Sequence, residues 1–242
     1  MFTKLNIMKK IISFFVLLII SIVSIQAQIS VPSTYSYTQK IFGEEDIEKI
    51  KSYFLFTGGT TVIWCIESHD NFIYPIGFGT YNKAKQTLTF SGTNSLNKKI
   101  AIYRGDNPTI VFKLKNLNGN LQLSTNNNNE NLNIFFGDIK DGVLLSKEKY
   151  VLKPNNKLVG KGYKYEDDEG NSIALFFKSN TEVVIDGATR GYVCIGNTLG
   201  IISGDNPTSE TAVGKIQGNE LVIHRSGLFI YETPDFILTL QE

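Results

Sequence analysis

The residues able to do chemistry are few. His69 and His224 are the two histidines, Cys65 and Cys194 the two cysteines. His69-Asp70 could form an acid–base pair, but it lies in a polar turn with no nucleophile placed beside it, so a solvated turn is expected. His224 follows an alternating strand and is expected to face solvent or satisfy a local hydrogen bond. Two histidines and two distant cysteines do not by themselves make a zinc site. Glu166-Asp167-Asp168-Glu169 is the densest acidic cluster. It lacks the alternating acidic spacing of a calcium loop and reads as a charged hairpin tip. No dinucleotide fingerprint, phosphate loop or nucleophile elbow occurs. An enzyme is therefore not expected, nor any cofactor or metal, although a hydrolase whose residues converge only in space stays open. Aromatic side chains are what remain. Trp64, Tyr74, Tyr81, Tyr163 and Tyr165 are the candidate ligand-binding residues, lining an apolar cavity or a stacking platform; strand packing alone would also favour such residues.

The elements that must position these residues are strands. From residue 160 to 231 short alternating apolar runs are separated by Gly, Asn and Asp turns every eight to twelve residues, the rhythm of an antiparallel sandwich or barrel. The same rhythm runs from residue 58 to 145. Both cysteines sit within apolar strand runs, VIWCI and GYVCI, and read as buried small hydrophobes. A bridge between them stays an alternative that sequence does not decide. Residues 44–54 form the one helix candidate, with acidic residues at its start and Ile47, Ile50 and Phe54 on one face; an N-terminal strand is the alternative, because YFLF has high β-propensity.

A repeat emerges when GTYNKAKQTLTFSG (79–92) is laid over GYVCIGNTLGIISG (191–204). FKLKNLNGNLQL (112–123) then falls over VGKIQGNELVI (213–223), and LNIFFGDIKDGVLL (132–145) over LFIYETPDFILTL (228–240). The expected organisation is a leader at 1–27, an N-terminal segment at 28–57, a first β unit at 58–146, a linker at 147–158 and a second β unit at 159–242.

The leader reading rests on Lys9-Lys10, an apolar run from 11 to 23, and SIQA ending at Ala27. About thirteen apolar residues fall short of the ~20 that a spanning helix needs. No cysteine follows the run to carry a lipid anchor. Removing Lys4, Lys9 and Lys10 with the leader lowers the formal charge from +1 to −2. Without a basic cluster, neither nucleic acid nor an anionic membrane surface is an expected partner.

The order G-x-G-Y-x-Y, apolar strand, Gly-Tyr strand, N-T-L strand and G-N-x-L-x-I strand over 160–240, and less closely over 58–145, resembles the small lipocalin-like domains of exported bacterial proteins, especially from Bacteroidetes. Where lipocalins proper carry Gly-x-Trp, this chain has Gly162-Tyr163. The resemblance implies an all-β chain of two tandem antiparallel barrel or sandwich units that bind or scaffold rather than catalyse. The expected function is an exported module, periplasmic or secreted, holding a small apolar or envelope-derived ligand. The alternative is a surface module for a protein or glycan.

Overall fold

The structure, a computed structural model, describes residues 29–42, 47–67, 72–97, 101–103, 108–127, 130–202, 211–226 and 236–241. Sixteen strands form two closed antiparallel barrels of eight, joined in tandem. The first barrel consists of β1 (Ser33–Phe42), β2 (Ile47–Gly58), β3 (Thr61–Glu67), β4 (Ile73–Asn82), β5 (Thr87–Ser91), β6 (Thr109–Leu117), β7 (Asn120–Ser124) and β8 (Val143–Lys147). The second consists of β9 (Gly162–Glu166), β10 (Ser172–Phe177), β11 (Glu182–Ile185), β12 (Ala188–Ile195), β13 (Thr198–Ile202), β14 (Thr211–Gln217), β15 (Glu220–Ser226) and β16 (Phe236–Gln241). The one α-helix among the described residues, α1 (Asn131–Phe136), lies between β7 and β8.

Strand alternation explains both walls. On β6, Ile110, Phe112 and Leu114 are buried while Val111, Lys113 and Lys115 are exposed, the apolar-inside, polar-outside pattern of a wall wetted on its outer face. Two-residue turns close the hairpins. Asn118-Gly119 and Asp186-Gly187 all have positive φ, the geometry that matches the right-handed twist of the flanking strands.

Two expectations need correction. Residues 47–58 form β2, the strand alternative and not the helix, while 44–46 lie outside the described residues. Ile50, Ser52, Phe54 and Phe56 alternate with Tyr53 and Leu55, yet all six are buried. The outer pair is covered by the second barrel, so a period of two read as a continuous apolar run. The helix lies instead at α1, where a strand was expected. Leu132, Phe135 and Phe136 are its buried residues, and that is helical spacing.

The repeat is real at the level of elements. The overlaid segments fall on β4–β5 and β12–β13, then β6–β7 and β14–β15; the third pair begins on α1, whose counterpart 228–235 lies outside the described residues, and ends on β8 and β16. The residue pairing within them slips by one or two positions. Gly79 faces into its barrel, where an added Cβ would lie 2.6 Å from the Phe90 ring, whereas Gly191 faces outward, 2.5 Å from the Phe78 ring. A one-residue slip inverts every side chain. The paired registers instead match Leu121 with Leu221 and Leu145 with Leu238. Carried through barrel closure, they also match Tyr35 with Tyr163.

The barrels share a core of their own. Tyr53, Leu55, Ile63, Cys65 and Phe78 of the first pack with Val193 and Ile202 of the second. Contact is close because Gly200 has no side chain: a Cβ there would sit 2.2 Å from the Tyr74 Cβ. The linker is pinned to both barrels. The Glu148 N–H donates to Thr34 O at 2.9 Å and the Asn155 N–H to Cys194 O at 2.8 Å.

Candidate functional site

Alternation on β3 points Trp64 into the first barrel, where it is fully buried among rings. Phe54 stacks on it at 5.6 Å, and Phe135 and Phe136 from α1 each approach to 5.2 Å. Phe90 and Phe112 close the other sides edge-on, at 5.8 and 5.9 Å. Tyr81 belongs to the same interior, edge-on to Phe56 at 5.5 Å. This lumen is filled by its own side chains, and α1 is the plug.

The second barrel is built differently at matching positions. In the first, Tyr35, Phe54 and Trp64 stand side by side in register; the matching trio is Tyr163, Leu175 and Ile185. By the matched hairpins, Phe112 corresponds to Ala212 and Leu114 to Gly214. Large rings give way to smaller groups. The wall is also lower, since β11 has 4 residues where β3 has 7. At the rim Tyr165, Ile173, Ile185 and Phe236 face inward and are only half-buried against the core below. Tyr165 and Ile173 are register partners, and the Phe236 ring lies 5.1 Å from that of Tyr165. Tyr165 corresponds to Tyr37, whose ring meets Phe136 of the plug at 5.9 Å. The half-exposed rim thus lies at the end where α1 enters the first barrel; residues 227–235, which the overlay sets against α1, lie outside the described residues.

Two polar groups in this lumen lack partners. Tyr163 is 1% exposed and its hydroxyl has no hydrogen-bond partner. Burial raises its pKa, so the phenol remains a donor at neutral pH. Arg190 pairs in register with inward-facing Val183 and shares the inward side of β12 with Tyr192 and Cys194. Its Nε is buried with no acceptor. Tyr192 differs, because its hydroxyl donates to Ser179 O at 2.7 Å.

The five aromatic candidates therefore divide. Trp64 and Tyr81 fill the first lumen, and Tyr163 and Tyr165 line the second. Tyr74 lies on β4, where that strand crosses Gly200. Sequence reasoning missed Arg190, Ile173, Ile185 and Phe236. Arg190 was legible by counting back in twos from Cys194 and Tyr192.

The remaining candidates serve structure. Asp167 accepts backbone N–H groups from Glu169 at 3.0 Å and Asn171 at 2.8 Å, closing the β9–β10 turn, and its bonds to Asn171 hold its pKa down. Lys164 pairs with Glu166. His224 lies on the outer side of β15, opposite Val213. His69 and Asp70 lie outside the described residues. Cys65 and Cys194 are separate, buried, free thiols. Among the described residues no helix is long and apolar enough to cross a membrane.

A second concavity lies on the outer wall of the second barrel. Phe176 stands 49% exposed across Gly162, between Val184 and Gln241, beside a shallow groove of about 300 Å³ flanked by Lys164 and Asp186. No known protein family, curated protein or solved structure matches the chain.

Proposed function

We propose that the protein is an exported, non-enzymatic binding module that holds a small apolar ligand in the mouth of its second barrel. One observation carries this reading. At the end where the first barrel is stoppered by Phe135 and Phe136, the second presents inward-facing Tyr165, Ile173, Ile185 and Phe236 only half-buried. Apolar surface left facing a lumen gains free energy when a ligand covers it, at roughly 25 cal/mol per Å². The groups offered are hydrocarbon, a phenol and a guanidinium, which hold and orient a molecule. A leader at 1–27 would deliver the module to the periplasm or beyond, where an envelope-derived lipid is a ready ligand.

Native mass spectrometry of the full chain, purified gently from its own host, tests the proposal. The expected result is an added mass of a few hundred daltons that denaturation releases and that Ile173→Trp, which fills the mouth, abolishes. A bare chain that also takes up no added lipid would overturn it. The Phe176 groove supports a second reading, a surface module for a glycan or protein; binding lost with Phe176→Ala but kept with Ile173→Trp would favour that one.

A further inference from the structure

The orphaned donors of the second lumen carry the ligand assignment one step further. Arg190 stands on an inward-facing position of that barrel; one guanidinium nitrogen reaches Thr189 O at 3.5 Å, and its Nε–H is buried without an acceptor. Tyr163, three strands away around the wall on β9, turns a second unsatisfied donor into the same lumen. A buried polar group left unpaired is costly. Both groups are donors, so what satisfies them is an acceptor. The guanidinium adds a positive charge and a planar fork suited to two oxygens. The rim above is hydrocarbon.

We infer that the bound molecule is an amphiphilic carboxylate. Its alkyl chain covers Tyr165, Ile173, Ile185 and Phe236, and its carboxylate oxygens accept from Arg190 and Tyr163. A neutral lipid fits the rim but brings no charge to Arg190 Nε–H. A simple anion satisfies the donors but leaves the rim exposed. This assignment rests on the proposed apolar-ligand function and specifies its head group.

The test is competition. The full chain, freed of bound lipid, is offered equimolar hexadecanoate and methyl hexadecanoate, and the occupancy of each is read by native mass spectrometry. The acid is expected to exceed the ester by roughly tenfold, the size of a charge-assisted hydrogen bond. Arg190→Gln is expected to bring the ratio near one while ester occupancy stays unchanged. Tyr163→Phe keeps the ring and loses only the hydroxyl, so it lowers the ratio in a barrel that still folds, which far-UV circular dichroism verifies. Equal occupancy of acid and ester, or a preference that survives Arg190→Gln, overturns the head-group assignment and leaves the apolar-ligand function standing. Binding of neither overturns both.

Discussion

Trp64 shows how a residue can be chosen correctly as important and still belong to packing. Five Phe rings surround it within 6 Å, and removing it leaves a cavity that β strands held on both sides cannot close. Trp64→Ala is expected to cost about 3–5 kcal/mol, read as a lowered urea midpoint with unchanged slope. Trp64→Phe, which restores one ring, should lose less than half of that. Mouth residues should behave in the opposite way. Ile173→Ala removes a half-buried side chain and should cost about 1 kcal/mol or less in stability while weakening ligand uptake, so stability and binding separate by site. Aromatic identity was legible in the sequence; which aromatics enclose each other and which face an open rim was not. That distinction depends on α1 supplying rings to one barrel, a long-range fact with no local signature.

Elements were legible where alternation had one wet face. β5, β6 and β7 show alternating burial, and the sequence placed strands at all three. β2 was ambiguous because both of its faces are covered, and α1 read as a strand because six residues carry too little periodicity to outweigh strand propensity. The linker was recognised as polar, but its attachment was not. Ser36 Oγ–H donates to Glu148 Oε1 at 2.5 Å, and Lys51 Nζ lies 3.2 Å from the same oxygen. Lys51 also sits over the Tyr53 ring, and the Tyr53 hydroxyl, its pKa pushed up to about 12 chiefly by burial, donates to Glu67 at 2.6 Å. The Ser36 hydroxyl, with help from Lys51, holds the Glu148 carboxyl below its ordinary range. A carboxylate depressed in the folded state adds stability above its unfolded pKa and loses it as pH falls through the folded value. Its side chain is 30% exposed, so the contribution is screened to about 1 kcal/mol at most. Glu148→Gln should therefore destabilise the protein by that amount at pH 7 and by almost nothing at pH 3, measured by denaturant titration at both. A gap that persists at pH 3 would assign the effect to packing of the linker.

At the scale of the whole molecule, the question is whether two barrels with separate interiors unfold as one. The residues between 31 and 242 form one compact unit, and the two cysteines report on its parts. Cys65 lies in the core shared by the barrels, and Cys194 lies inside the second barrel, one residue from Val193 of the shared core. Both are fully buried, and desolvation raises both thiol pKa values, so neither forms the reactive thiolate until it is exposed. In native buffer both should resist a thiol reagent. In rising urea they should become labelled together, because parting the barrels strips the outer faces of β2, β3 and β12 of their cover. Gly200→Val breaks this coupling by design. The new side chain meets the Tyr74 backbone, which cannot swing aside as a side chain would; overpacking of this kind costs about 1–3 kcal/mol or more. In that variant Cys65 should react at urea concentrations where Cys194 stays protected, since only the shared core has opened. If Cys65 of the unaltered protein labels first, the barrels are independent and the shared core contributes little. If Gly200→Val leaves both labelling curves superimposed, the close approach of β13 to Tyr74 is not what holds the barrels together.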